Sequence, residues 1–388
     1  MPHNDHWRAY RKQFHSAFRP RELEVLRPLI LGALDQFLHC LATTPDQFSA
    51  HIRSYTSNVL STFVYGFQQS VDTADPILTL MNANIEEFNE KVWDNVCLVD
   101  LLPISKRVPP NWPGAAFMRL GLGQRRKMDE VVQGMYDRLR AAMTEGKATS
   151  CVVTRSLEHR VSTGELSSAE EELIKRNAAV SFIAGTDTTN SALFNIFLAM
   201  SMHPEHQTRA QAELDLVTGG TRLPEFGDKP SLPFIEALVL ESLRWHPPAP
   251  MGGPSSSCSR GWSVIIGNIG GMLHDPSYFE NPKEFNPNRF LASQGRRRED
   301  LELLVMDVFG LGRRICPGRH LASDSIWITI AQTLSSFTVR KALDADGNEA
   351  DPPVQFTAGL TSHPIPFRCH ILPGDNALKS GHDEARGL

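Results

Sequence analysis

The chain has 388 residues, of which 41% are hydrophobic and 21% charged, a composition typical of a folded globular protein rather than a disordered one. Its formal net charge of -5 argues against a dedicated nucleic-acid binder, because phosphate contacts need a surplus of Lys and Arg. The six cysteines are far apart and form no CxxC pair, which argues against a disulfide scaffold and against a zinc ribbon.

Most of the predicted elements are helices. Apolar residues recur at helical spacing from about residue 7 to residue 70, which predicts two or three amphipathic helices there. A long helix is predicted over 169–202, because Ser167 or Ser168 followed by acidic residues is typical of a helix start and Pro204 of a stop. The remaining helices are predicted over 77–94, 116–144, 204–217 and 233–245.

Strand patterns are few and occur late in the chain. They cover 262–269, 337–343 and the segments PVQFT and FRCHIL near the end. No internal repeat and no clean linker divides the sequence. We therefore predict a mainly α fold with a minor β component, built as a single domain over 1–388 whose tail after about residue 374 is disordered.

No membrane-spanning segment and no targeting signal is predicted. The most apolar helical stretch, Leu193 to Met202, has about ten residues where a spanning helix needs about twenty. The first twenty residues lack the apolar core of a signal peptide.

The long helix contains a local conflict in the segment AGTDTTNS, residues 184–191. A mid-helix glycine costs about 1 kcal/mol relative to alanine, and Thr and Asp side chains compete there for backbone hydrogen bonds. Such conflicts are typical of functional sites, although a polar stripe on a half-exposed helix is the alternative interpretation.

A second conflict surrounds Cys316 in the segment FGLGRRICPGRH. Pro317 follows the cysteine and is expected at the first helical position, which would place the thiol at a helix N-terminus. That dipole, together with Arg313, Arg314 and Arg319, is expected to favour the thiolate, and the glycines are expected to let a large flat group approach. The alternative is a buried, inert thiol.

These segments resemble the motifs of the cytochrome P-450 haem-thiolate monooxygenases, in the family's chain order. The resemblance to fungal, microsomal-type members extends to the segment GLTSHPIPFRCHILP near the C-terminus. The matching residues are Trp7 and Arg11 (WxxxR), Ala184, Gly185, Asp187, Thr188 and Thr189 (the oxygen-activating motif), Glu241 and Arg244 (ExxR), Phe285, Pro287, Arg289 and Phe290 (FxPxRF), and Phe309, Gly312, Arg314, Cys316 and Gly318 (FxxGxRxCxG).

The resemblance implies a cytochrome P-450 fold and a role for each matching residue. Cys316 is implied to be the axial thiolate ligand of the iron of haem b, and Asp187 and Thr188 the catalytic acid and alcohol that deliver protons. Glu241, Arg244 and Arg289 are implied to form a buried structural network. The other cofactor-binding residues are implied to be Trp7, Arg11, Ala184, Gly185, Phe309, Gly312, Arg314 and Gly318.

The resemblance also implies the reaction and the partners. The enzyme would insert one atom of dioxygen into a small apolar organic substrate, in secondary metabolism, with electrons from NADPH through a NADPH-cytochrome reductase and with cytochrome b5 as a second donor. Arg313, Arg319, His320 and Lys12 would form the docking face for such a donor. Relatives of this kind are on the endoplasmic reticulum membrane.

Two parts of the family pattern are missing, and they leave a second function class open. The sequence starts almost on the WxxxR helix, so we expect a fold that lacks the N-terminal helices and first sheet strands. Neither His nor Arg stands at 255–259, where relatives carry a propionate ligand. A non-catalytic haem-binding or folding-defective remnant is therefore the alternative to an active monooxygenase.

Overall fold

The computed structural model describes residues 5–68, 76–89, 102–164, 166–252, 255–256, 264–291 and 298–374. Within these ranges the chain is mainly helical, as predicted. The helices are α1 (Asp5–Ala17), α2 (Pro20–Thr43), α3 (Phe48–Tyr65), α4 (Pro76–Glu87), α5 (Ala116–Thr144), α6 (Val152–Thr163), α7 (Ser168–Met202), α8 (Pro204–Thr218), α9 (Pro233–Trp245), α10 (Ile269–Leu273), α11 (Glu299–Val305) and α12 (Arg319–Ser336).

The β component is small and antiparallel. β1 (Ser255–Ser256) pairs with β2 (Val264–Ile265), and β3 (Phe337–Lys341) pairs with β4 (Cys369–Pro373) so that Phe337 lies opposite Pro373. The predicted strands over 337–343 and FRCHIL are therefore confirmed.

Three of the predicted elements are corrected by the structure or lie outside its described part. Of the strand predicted over 262–269, the described residues show strand only at Val264–Ile265; 262–263 lie outside the described residues, and α10 begins at Ile269. PVQFT forms an isolated bridge between Phe356 and Pro364 instead of a strand. The α-helix predicted over 77–94 ends at Glu87, and residues 90–94 lie outside the described residues. Residues 257–259, where relatives carry a propionate ligand, and the tail from 375, which was predicted to be disordered, also lie outside them.

Helix α7 is the central element of the fold, and its start is set by a capping box. The Ser167 hydroxyl accepts a hydrogen bond of 3.3 Å from the Glu170 amide, and the Glu170 carboxylate accepts one of 3.2 Å from the Ser167 amide. From Ala192 to Ser201 the helix is buried all round, because α3, α9 and α12 pack on it. In the described part of the chain, no helix combines the length and the apolar character that crossing a membrane requires.

A buried ion network ties α9 to the loop that follows α10. Glu241 accepts two hydrogen bonds from Arg244, of 2.7 and 2.9 Å, and further bonds from Nε of Arg289 at 3.0 and 3.1 Å. Glu241 and Arg244 are fully buried, and the Arg244 guanidinium also donates to the carbonyls of Leu273 and Pro282. The three residues predicted as a structural network therefore lie in one hydrogen-bonded cluster.

Candidate active site

A mostly apolar cavity of about 560 Å³ lies between α7 and the loop that precedes α12. Ala184 is exposed and Val180 is 51% exposed although both lie in the middle of a packed helix, because they face this space. Except for Asp187 and Gly312, every residue predicted for cofactor binding or catalysis lines this cavity. These residues are Trp7, Arg11, Ala184, Gly185, Thr188, Phe309, Arg314, Cys316 and Gly318.

The loop that carries Cys316 is a tight turn closed by the backbone. The Cys316 amide donates a hydrogen bond of 2.6 Å to the Phe309 carbonyl. Gly310 and Gly312 have φ of 83° and 60°, a region that favours glycine, so turn geometry explains both positions. Gly312 does not line the first cavity, and its role in the approach of a flat ligand stays a prediction.

The start of α12 differs slightly from the prediction. The helix begins at Arg319 with Gly318 as its N-cap, so Pro317 precedes the cap instead of occupying the first helical position. Cys316 therefore lies just before the helix, close enough for the amides of Gly318 and Arg319 to hydrogen-bond its sulfur.

The electrostatics of Cys316 have two opposing parts. Burial raises the pKa of the thiol, and this is the largest effect. The Gly318 amide, the charges of Arg11 and Arg319, and the Arg319 amide each act to lower that pKa. The amides at the start of α12 and Arg319 therefore act in the predicted direction, but burial outweighs them for the thiol alone, and metal ligation would offset the remaining cost.

An indole and two guanidinium groups share the cavity wall with the thiol. Trp7 and Arg11 come from the same face of α1, and Arg314 comes from the cysteine loop. Burial lowers the pKa of Arg11, while the charge of Cys316 raises it and that of Arg319 lowers it. Indole and guanidinium N–H groups around an apolar space are donors suited to a bound carboxylate.

The α7 face of the cavity combines a close helix contact with one hydroxyl. A Cβ at Gly185 would lie 2.8 Å from Cδ1 of Leu60, so this glycine is explained by the approach of α3 to α7. Thr188 turns its hydroxyl back along the helix and donates a hydrogen bond of 2.7 Å to the Ala184 carbonyl.

Asp187 departs from the predicted arrangement. The acid and the alcohol were expected to act as one pair at the same site, but Asp187 lines a second cavity of about 650 Å³ and Thr188 lines the first. Asp187 Oδ1 lies 3.0 Å from Nε2 of His363, and Oδ2 accepts a hydrogen bond of 3.0 Å from Asn89. Successive helical residues point about 100° apart, which explains the divergence.

His363 and Asn89, the partners of Asp187, were not predicted as site residues from the sequence. The available signal was Asp187 itself, because a carboxylate in an apolar helix needs partners to offset its burial. A second group that was not predicted, His203 with Glu205 and His206, has ligand atoms within 4.8 Å of one another, but these residues line neither cavity.

The residues of the first cavity fit a haem. A single thiolate-forming side chain stands in an apolar wall, with hydrogen-bond donors for propionates in the same lining. A Cβ at Gly318 would lie 3.8 Å from the Cys316 sulfur, so the absence of a side chain there leaves space beside the sulfur.

Comparisons with known proteins agree with this geometry. The family model described as cytochrome P-450 matches residues 1–369. A cytochrome P-450 monooxygenase of Armillaria gallica is 35% identical over 389 residues, covering 97% of this chain and 75% of its own length. Monooxygenase 136 of Postia placenta is 33% identical (97% and 72% covered), and a tryptamine 4-monooxygenase of Psilocybe cyanescens is 31% identical (96% and 75% covered).

Proposed function

Because the chain belongs to the cytochrome P-450 family of haem monooxygenases, we propose that it inserts one oxygen atom of dioxygen into a small apolar organic substrate, with electrons supplied from NADPH through a reductase. One observation carries the proposal: Cys316 and Thr188, a thiolate ligand and a proton donor, line the same apolar cavity.

Cys316 would hold the haem iron, and the haem would supply the oxygen-activating chemistry. The protein shields the sulfur from water and offsets part of the cost that burial adds to its ionisation. Amides of Gly318 and Arg319 hydrogen-bond the sulfur, and the charges of Arg11 and Arg319 favour its anionic form. Trp7, Arg11 and Arg314 would bind the propionates.

Thr188 would hold and pass a proton into the cavity. Its hydroxyl already donates to the Ala184 carbonyl at 2.7 Å, so its oxygen is placed on the helix face that lines the cavity. Asp187, which lines the second cavity, would return a proton to the Thr188 hydroxyl after each transfer.

The lining of the cavity supports an apolar substrate. Val59, Leu60, Val180 and Leu243 contribute to it, and such a surface gains free energy by covering apolar ligand area. The name of one relative specifies tryptamine, which makes tryptamine a first compound to test on this chain.

Basic side chains near the cysteine loop support an acidic electron donor. Lys12 and Arg313 are exposed, and Arg319 and His320, the first two residues of α12, are half-buried. Such a face would attract a NADPH-cytochrome reductase, or cytochrome b5, electrostatically.

The proposal is tested by isotope incorporation. The haem-loaded chain, a fungal NADPH-cytochrome reductase and a panel of apolar compounds that includes tryptamine are incubated under ¹⁸O₂. We expect a product that carries one ¹⁸O atom, and none when the label is instead in water. Haem uptake with no labelled product from any compound would contradict the proposal and favour the non-catalytic alternative.

A further inference from the structure

The Asp187 carboxylate lies in the second cavity and does not line the first cavity, the one that would hold the haem. His363 and Asn89 engage one carboxylate oxygen each, at 3.0 Å, and the Asp187 and His363 side chains are only 14% and 20% exposed. Burial would raise the pKa of Asp187. The hydrogen bond and charge of His363, then Asn89 and Thr361, outweigh burial and hold that pKa below its ordinary value.

The second cavity is suited to water. Its walls carry polar and charged groups, among them Arg53, Glu86 and Asn190. Thr186 also lines it, and this residue is only 2% exposed. Polar groups in a cavity wall can hydrogen-bond water where the cavity has room for it.

The position of His363 is fixed by its backbone and by an aromatic neighbour. The Thr357 amide donates a hydrogen bond of 2.8 Å to the His363 carbonyl, and the His363 amide donates one of 3.0 Å to the Thr357 hydroxyl. The Phe194 ring meets the imidazole edge-on, with centroids 6.5 Å apart. The imidazole is therefore a preorganised partner of Asp187.

Both cavities are lined by the same stretch of α7. Asp187 lines the second cavity, and the next residue, Thr188, lines the first. Beside them, Thr56 of the first cavity donates a hydrogen bond of 2.6 Å to Asn190 of the second. Polar side chains thus connect the two spaces through an otherwise apolar helix.

We propose that His363 is a positioning and proton-relay residue that loads Asp187 from the water of the second cavity. The inference rests on the proposed function, because the relay has a use only if Thr188 passes the protons on into the first cavity. Nε2–H of the imidazolium gives its proton to the Asp187 carboxylate, which leaves a neutral ring that keeps its proton on Nδ1. The Asp187 carboxylic acid then rotates and passes the proton towards Thr188, and Nε2 regains a proton from water of the second cavity, so each cycle moves one proton and restores both groups.

Other charged and titratable groups lie near the pair. Arg53 and Glu86 share its cavity, and His246 interacts electrostatically with His363. Each of these groups remains in the variants used below, so a changed pH profile reports on Asp187 and His363.

The test compares His363→Gln with His363→Ala and with the control His370→Gln, which alters an exposed histidine of β4 outside both cavities. A glutamine can still donate a hydrogen bond to Asp187 but cannot relay a proton. We expect His363→Gln to keep haem and substrate binding, to lower product formed per NADPH at least about tenfold, and to flatten its dependence on pH between 6 and 8. The control should match the wild type.

A second readout does not depend on turnover. In protein with ¹⁵N-labelled histidine, a downfield ring N–H resonance from the Asp187 hydrogen bond is expected, and Asp187→Asn and His363→Gln should both remove it. An active wild type with unchanged yield and pH profile in His363→Gln would overturn the relay alone. A wild type that incorporates no ¹⁸O would overturn the proposed function and, with it, the relay.

Discussion

At the scale of single residues, adjacent positions on α7 carry different chemistry because they face different spaces. Thr188 is on the apolar side, where its hydroxyl is satisfied by the Ala184 carbonyl, and Asp187 is on the polar side, where His363 and Asn89 satisfy it. The motif predicted both residues as members of the site. It did not predict their partners, because His363 is distant in sequence and only the packed fold brings it near.

Removing the Thr188 hydroxyl should uncouple NADPH consumption from product formation. We expect Thr188→Ala to bind haem as the wild type does, since its methyl group leaves the cysteine loop untouched. Product per NADPH should fall at least about tenfold, and hydrogen peroxide should rise in its place, because a positioned proton donor contributes factors of this size or more.

The measurement is NADPH consumption, product and peroxide in the same reaction. Thr188→Ser is the matched control, because it retains the hydroxyl and should keep most of the coupling. Equal coupling in Thr188→Ala and the wild type would remove Thr188 from the proton path.

His246 should make stability fall as the pH is lowered. Burial, with smaller contributions from the charges of His274 and His363, lowers the pKa of His246 to about 4. An unfolded histidine titrates near 6.5, so between these values the unfolded chain binds the proton and the native chain does not. At about 1.4 kcal/mol per unit, the free energy of unfolding should lose about 3 kcal/mol from this residue between pH 7.5 and 4.

Urea unfolding followed by circular dichroism between pH 7.5 and 4.5 checks this slope. His246→Gln can keep a hydrogen bond to Ser362, which His246 contacts at 2.8 Å, and should have the shallower pH dependence. The exposed His39→Gln should keep the wild-type slope, and equal slopes in all three proteins would contradict the assignment to His246.

At the scale of elements, helix patterns were the most predictable part of the fold. The boundaries of α5, α7, α8 and α9 were predicted to within a residue, because capping residues and prolines mark them locally. Strands were less predictable, since Val264–Ile265 and the Phe356 bridge are defined by pairing with distant segments instead of by their own pattern. The start of α12 was displaced by the tight turn at Cys316, which local helix signals do not encode.

Loss of the Glu241 charge should destabilise the packing of α9 against the loop that follows α10. Glu241→Gln leaves the buried guanidinium of Arg244 and that of Arg289 without a counter-charge, so we expect a loss of about 3–5 kcal/mol in the free energy of unfolding. Urea unfolding measures this loss. Asp300→Asn breaks an exposed pair with Arg298 and should leave the midpoint unchanged; equal midpoints for Glu241→Gln and the wild type would contradict the structural role.

At the scale of the whole molecule, the fold brings distant motifs to one cavity. The WxxxR residues of α1, the Thr188 region of α7 and the Cys316 loop are far apart in sequence and share one lining. Family motifs could predict this convergence. The second cavity on the other side of α7, and its link to the first through Asp187 and through Asn190 with Thr56, required the packed structure.

The most direct test of the central claim, that Cys316 is the ligand of a catalytic haem, is the reduced, carbon monoxide-bound absorption spectrum of the full chain purified with haem. We expect the strongly red-shifted band of thiolate-ligated iron in the wild type and its loss in Cys316→Ser. Cys369→Ser, which alters a buried cysteine of β4, should keep the band. No haem uptake by the wild type, or a red-shifted band that survives Cys316→Ser, would contradict the claim.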